Sequence, residues 1–173
     1  MNKQTNNNKL RRFDQLLLLA VLFNLGVWSG TAAAHNLGND SVDGGEIRWE
    51  DSTKWDAERQ NSLFDWDEPG CVDFAADTWR TVTDLEFRDY RDANTNTTGF
   101  WQPRWGADRI FMNDHWMDQN NWGQRHHNML HEVGHATGLG HNNRNDSVMK
   151  QGRLWFHELG NHDVNDHEDM WCN

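Results

Sequence analysis

The sequence predicts a single domain of the α+β class, preceded by an N-terminal leader. The chain has 173 residues, which is the length of one domain. Segments in which polar and apolar residues alternate, as in strands, occur beside segments with apolar residues at helical spacing. Aromatic residues make up 12% of the chain, so a core can form although the net charge is -11.

The leader, residues 1–34, has the three parts of a secretory signal peptide. Basic residues come first, residues 16–27 are apolar, and residues 32–34 form an A-x-A cleavage site. Cleavage there would leave His35 as the first residue of a secreted, extracellular domain. A signal anchor that stays in the membrane is the alternative, although the apolar stretch is shorter than the roughly 20 residues of a membrane span.

Acidic residues outnumber basic ones, by 27 to 16. Nucleic-acid binding is therefore excluded, because phosphate contacts need Lys and Arg. The single apolar run excludes a polytopic membrane protein. We expect a monomer with no stable membrane association after signal cleavage. Two explanations of the acidity remain open: adaptation to high salt, and the ordinary negative charge of a secreted protein.

The first half of the mature domain is predicted to contain two strands and a helix. Residues 46–50 and 85–90 alternate and predict strands, whereas residues 51–70 are charged and predict an irregular segment ending in a turn. An amphipathic helix is predicted over residues 72–83, where apolar residues recur at helical spacing: Val72, Ala75, Ala76, Trp79 and Val82. Most of the Trp side chains are expected in the core.

The second half is predicted to contain two more strands and two helices. Residues 99–102 predict a short edge strand that ends at a proline, and residues 109–113 predict a further strand. Residues 114–123 are predicted as a polar loop. The strongest helix prediction covers residues 124–138, and a short terminal helix is predicted over residues 163–171.

The strongest helix carries two histidines one turn apart. His131 and His135 lie on the same helix face, so their imidazoles can converge on one metal ion. Glu132 is placed beside that ion without being forced to bind it. This is the H-E-x-x-H arrangement in which two His bind zinc and the Glu acts as the general base.

A third ligand is predicted at His141. A continuous helix cannot bring residue 141 to the same ion, so the chain must turn, and Gly138 is suited to the turn because Gly adopts positive φ. Three neutral imidazoles leave one zinc position open for water, as in catalytic sites. Zinc lowers the pKa of that water towards about 7, and Glu132 accepts its proton. A helix with surface histidines is the alternative, but it does not explain these offsets.

Residues 131–141 resemble the H-E-x-x-H-x-x-G-x-x-H signature of the metzincin metallopeptidases. Residues 146–149 resemble the Met-turn of that family, with Met149 beneath the zinc site. The short distance from His141 to Met149 is similar to that in the matrixins, and in small secreted matrixin-like proteases in particular.

The resemblance extends beyond the zinc motif. Residues 74–87 resemble the first helix and the following strand of the family, and Asp163 resembles the acidic residue that braces the Met-turn. The resemblance implies a twisted mixed sheet with two main helices, an active-site cleft, and a short C-terminal subdomain that ends in a helix. Asn142 and Gln151 depart from the residues that the better known subfamilies have at these positions.

The implied function is a zinc endopeptidase with one catalytic Zn²⁺ that acts on proteins or peptides. The substrate would pair with an edge strand, formed by residues 99–102 or by residues 116–121. A zinc-stabilised binding or toxin-like module without turnover is the competing hypothesis, and intact Glu132 argues against it. A peptidase that acts on a single partner is a further alternative.

Three other sets of residues were candidates for a role. Cys71 and Cys172 predict one disulfide in an exported chain; two free thiols, or Cys71 as a zinc-blocking ligand, are the alternatives. His126 and His127 precede the motif and are predicted to be solvent-exposed; the alternative is that the His127 ring, one turn before His131, approaches the metal. The acidic clusters lack the spacing of an EF-hand loop, so Ca²⁺ is possible but unsupported.

Overall fold

A computed structural model describes residues 35–152 and 154–172, which belong to one unit of the chain, Ala33–Asn173. The predicted signal peptide lies outside these residues. The described part is an α+β fold of five strands and four helices: β1 (Glu46–Asp51), α1 (Asp56–Asp67), β2 (Asp73–Ala76), β3 (Leu85–Tyr90), β4 (Gly99–Gln102), β5 (Asp108–Asn113), α2 (Asp114–Met117), α3 (Trp122–Ala136) and α4 (Asn161–Trp171). Within it, no helix combines the length and apolar character that a membrane span requires.

The five strands form one mixed sheet in the order β2-β1-β3-β5-β4. The first four are mutually parallel, and β4 runs antiparallel to β5 at the edge. The four predicted strands, two of them predicted from alternation, are confirmed to within one residue at each end. Alternation succeeded because one face of each strand packs into the core: Ile47, Leu85, Phe87, Ile110 and Met112 are buried.

The helix predicted over residues 72–83 is wrong. Its first part is strand β2, which pairs with β1, and the rest is a turn in which Thr83 donates a hydrogen bond to Asp77 (2.8 Å). Asp and Thr compete with helix formation through such local bonds. Trp79, expected on the apolar face, is 86% exposed. The resemblance of residues 74–87 to the first helix of a metzincin therefore fails as well.

The first long helix is α1, within residues 51–70, where the sequence predicted irregular structure. Polar side chains occupy much of its buried face and are paired there: the Glu58 carboxylate accepts a hydrogen bond from Arg125 (2.6 Å), and Arg59 lies 2.9 Å from Asp51. Because the Glu58 charge is neutralised by a residue distant in sequence, the local pattern looks like a solvated loop. Hydrophobic periodicity could not detect this helix.

Helix α3 packs against α1 and lies over the sheet. Trp66 of α1 is fully buried and donates its indole N–H to the Leu130 carbonyl (2.9 Å). The predicted helix over residues 124–138 is confirmed, but it begins two residues earlier, because Asn121 and Gln124 form a capping box. Core packing thus holds the motif helix on both sides.

The C-terminal part ends in α4, which begins two residues before the predicted terminal helix. A disulfide joins Cys71 to Cys172 and ties the residues before β2 to the end of α4. The alternatives of free thiols and of a zinc-blocking Cys71 are therefore wrong.

The predicted loop over residues 114–123 also contains the short helix α2. Trp side chains are less buried than expected, since four of those described are exposed: Trp79, Trp105, Trp122 and Trp155.

Candidate metal centre

Three imidazoles meet at the C-terminal end of α3. His131 and His135 are one turn apart on the helix, and the chain then reverses at Gly138, whose φ is 90°. The reversal brings His141 round to the same point. The three Nε2 atoms are 3.0–3.1 Å from one another. Tetrahedral zinc with bonds of about 2.0–2.1 Å needs donor separations of about 3.3 Å, so the triangle is close to the size of a zinc site.

The opposite nitrogens of two rings are hydrogen-bonded to backbone carbonyls. His131 Nδ1 is 2.6 Å from the Val148 oxygen, and His135 Nδ1 is 2.7 Å from the Leu139 oxygen. A carbonyl only accepts, so each Nδ1 carries the hydrogen and each Nε2 presents a lone pair. Lone pairs at this separation cannot bond to each other. A cation between them removes the conflict, and the residues therefore fit a metal ion.

Burial keeps these imidazoles neutral, which is the form that binds metals. Loss of solvation lowers the pKa of His131 to about 3 and that of His135 to about 4, and it lowers the pKa of His141 as well. The neighbouring histidines act in the same direction on His131 and His135, because two adjacent positive charges would repel. Protonation therefore does not compete with metal binding at neutral pH.

Glu132 lies beside the three histidines and faces β4. Its side chain is buried, and the backbone N–H of Trp101 donates a hydrogen bond to it. Burial raises the pKa of the Glu132 carboxyl to about 8, against the opposing effect of that hydrogen bond. A cation at the histidines would favour the ionised form. A carboxyl whose pKa is close to neutral is suited to accepting and returning a proton.

The residues around Met149 form a floor beneath the histidines. Met149 is buried against Gly134 of α3, where a Cβ would overlap its Sδ atom. Asp163 braces this segment: the Ser147 hydroxyl and the Val148 N–H (2.8 Å) both donate hydrogen bonds to its carboxylate. Since the Val148 carbonyl also accepts a hydrogen bond from His131, Asp163 is connected through this segment to the first histidine of the cluster.

A cleft of about 430 Å³ opens in front of the histidines. Edge strand β4 lines it together with Asn96, Thr97 and Thr98, and Gln151 and Gly152 line it as well. The alternative clamp, residues 116–121, is not a strand, because it includes the end of α2 and the turn after it. The edge of the sheet that faces the cleft is therefore β4.

Sequence reasoning placed His126 and His127 in solvent, and both are buried. His127 is 1% exposed, its Nδ1 donates a hydrogen bond to the Phe156 carbonyl (2.8 Å), and its ring lines the cleft. The i, i+4 spacing from His131 was the available signal. The sequence gives no sign of the backbone groups that contact the site: the Trp101 N–H, the Val148 carbonyl and the Leu139 carbonyl. Every residue has these groups, so only the tertiary structure shows which of them lie at the site.

No family model matches the chain, and no curated protein matches it. Among solved structures, the GM1-bound form of the ECX AB5 holotoxin is similar, with a TM-score of 0.55 and 14% identity over 80% of this chain and 86% of that chain. High choriolytic enzyme 1, a hatching-enzyme zinc protease of the medaka fish Oryzias latipes, gives a TM-score of 0.51 and 12% identity over 83% and 96%. The chain shares its fold with a zinc protease. Identities this low show the fold alone.

Proposed function

We propose that the protein is a secreted zinc endopeptidase of the metzincin type, similar to the small matrixin-like enzymes. The observation that carries the proposal is the meeting of three Nε2 atoms beside a buried glutamate at the wall of a cleft. His131, His135 and His141 would hold one zinc ion. The fold shared with a zinc protease supports the proposal.

The chemistry divides between the ion and the protein. Zinc supplies Lewis-acid catalysis and activates water towards attack on a carbonyl. With zinc bound, Glu132 would accept a proton from that water and deliver it to the leaving amine. Strand β4 would align an extended substrate by main-chain pairing, since it is the sheet edge along the cleft. Met149 and Gly138 hold the ligands in place without touching the substrate.

Replacement of the proposed base tests this mechanism. Glu132→Ala should lower the rate of cleavage of an unfolded, casein-like protein by about 10²–10⁴-fold, while the zinc content of the protein stays the same, because the three histidines are intact. The control is Glu50→Gln, which removes an exposed carboxylate on β1 and should leave the rate unchanged. Equal rates for Glu132→Ala and the wild type would reject the mechanism.

A zinc-stabilised binding or toxin-like module is the second candidate, and the similarity to a chain of an AB5 holotoxin favours it. In that case the wild type and Glu132→Ala would bind zinc equally and neither would cleave protein substrates. Cleavage of one partner protein, with generic substrates left intact, would instead indicate a peptidase of narrow specificity.

A further inference from the structure

A second cluster of ligand-type atoms lies outside the proposed active site. His35, from the segment before β1, meets His162 and Asp166, which are one turn apart on α4. The His35 Nδ1 atom is 3.1 Å from Asp166 Oδ2 and 3.3 Å from His162 Nε2, and the latter is 3.4 Å from Asp166 Oδ2. These separations bracket the roughly 3.3 Å expected between donors on tetrahedral zinc.

Hydrogen bonds alone do not account for all three contacts. An ionised carboxylate only accepts, and each ring nitrogen either donates or accepts. If His35 Nδ1 and His162 Nε2 both donate to Asp166, no hydrogen bond joins the two nitrogens. If one nitrogen instead accepts a hydrogen bond from the other, it presents a lone pair and cannot also donate to the carboxylate. Therefore at most two of the three contacts can be hydrogen bonds. A central cation satisfies all three atoms at once.

The burial of the cluster also favours a cation. The Asp166 side chain is 4% exposed, and among the described residues its ion-pair partners are these two histidines rather than a Lys or an Arg. A buried carboxylate needs a positive partner or a metal ion. The His35 side chain is 44% exposed, so an ion can enter from solvent and keep a water molecule on the open side.

The donor set selects the class of ion. Two imidazoles and one carboxylate suit zinc, and they suit copper or nickel as related ions, whereas Ca²⁺ takes oxygen ligands. We propose that His35, His162 and Asp166 form a second zinc site, structural in role, that clips the segment before β1 to α4. This site does not rest on the proposed peptidase function, because it shares no residue with that mechanism.

The second zinc site would also affect the turn that positions His141, the third histidine of the first site. The His35 carbonyl accepts a hydrogen bond from the Gly140 N–H, and the Leu37 N–H donates to the Gly138 carbonyl (2.8 Å). The segment therefore pairs with the turn between His135 and His141. If the chain is cut before His35, as the sequence predicts, the new α-amine lies at the edge of the cluster, since the His35 nitrogen is 3.4 Å from Asp166 Oδ2.

Metal counting on the full chain tests the proposal. The protein is stripped with chelator, saturated with Zn²⁺ and freed of unbound metal. We expect two zinc ions per chain in the wild type, one in His162→Ala, one in Asp166→Asn, one in His141→Ala, and none in the double variant His141→Ala/His162→Ala. The control is His115→Ala, a histidine of α2 outside both clusters, which should keep two.

Thermal unfolding gives a second readout. In His141→Ala, added Zn²⁺ should still raise the melting temperature through the second site, and His162→Ala in that background should abolish the rise. Circular dichroism in chelator establishes that each variant folds, and Asp166→Asn keeps the side-chain size should His162→Ala fail to fold. A wild-type count of one ion that both α4 variants retain overturns the proposal, and so does a count of none. A count of two that both α4 variants retain overturns it as well. A count of one ion that His141→Ala retains and both α4 variants lose would count against the proposed peptidase site only.

Discussion

At the scale of single residues, Gly134 shows how closely helix α3 is packed. It lies between the two histidines of α3, and a Cβ there would overlap Met149 Sδ and lie 2.9 Å from Trp66 Cζ2. The site therefore requires a residue without a side chain at this position. The H-E-x-x-H motif allows any residue at position 134, so the requirement for glycine there comes from packing and not from metal chemistry.

We predict that Gly134→Ala destabilises the protein. Overpacking of a core costs about 1–3 kcal/mol, whereas Ala in place of Gly favours a helix by about 1 kcal/mol. Gly123→Ala in the same helix is the control, because its Cβ would meet the Trp155 oxygen at 3.3 Å, whereas a Cβ at Gly134 would overlap Met149 Sδ. In urea unfolding of zinc-free protein, Gly134→Ala should be about 1–3 kcal/mol less stable than Gly123→Ala. Equal stabilities would contradict the packing argument.

At the scale of elements, the site depends on a helix followed by a reversal. Helix α3 carries two of the three clustered histidines and ends at Ala136, and the turn at Gly138 brings in the third. The turn is held from both ends: the Leu139 N–H donates to the Gly134 carbonyl (3.0 Å), and the Leu139 carbonyl binds His135. A change in this turn should therefore affect metal binding and stability together.

Gly138→Ala tests the turn. A side chain at φ 90° costs about 1–2 kcal/mol, and relaxation of the turn should displace His141 and weaken zinc binding. Gly106→Ala is the matched control, because Gly106 has a φ of 97° and open space around it, far from the motif in sequence. Both variants should lose stability in zinc-free unfolding, and only Gly138→Ala should lose zinc affinity in a chelator competition. Unchanged affinity would show that the turn tolerates a side chain.

Two errors at this scale share one cause. Residues 72–83 have helical spacing but form β2 and a turn, while α1 has a polar buried face that shows little periodicity. In both cases partners distant in sequence decide the outcome: β1 offers a strand to pair with β2, and Arg125 neutralises Glu58. A local pattern predicts an element only where burial follows the pattern of apolar residues.

At the scale of the whole molecule, the disulfide joins residues 101 positions apart. A loop of this length is costly to close in the unfolded chain, so Cys71–Cys172 should stabilise the fold by about 4–5 kcal/mol in the chain-entropy description. We expect the double variant Cys71→Ser/Cys172→Ser to unfold at lower guanidinium concentration. Reductant should produce a similar loss in the wild type and none in the variant. A wild type that is insensitive to reductant, with its thiols shown to be reduced, would contradict this prediction.

The sequence by itself determined the α+β class, the positions of four strands and the motif helix, and the spacing of His131, Glu132, His135, Gly138 and His141. These features are local, because side-chain periodicity and the turn at a glycine depend on neighbouring residues. Tertiary structure alone decided the helix at α1, the strand at β2, the burial of His127 and the cluster of His35 with α4. Each depends on groups far apart in the chain, whose proximity exists only once the sheet and helices have packed.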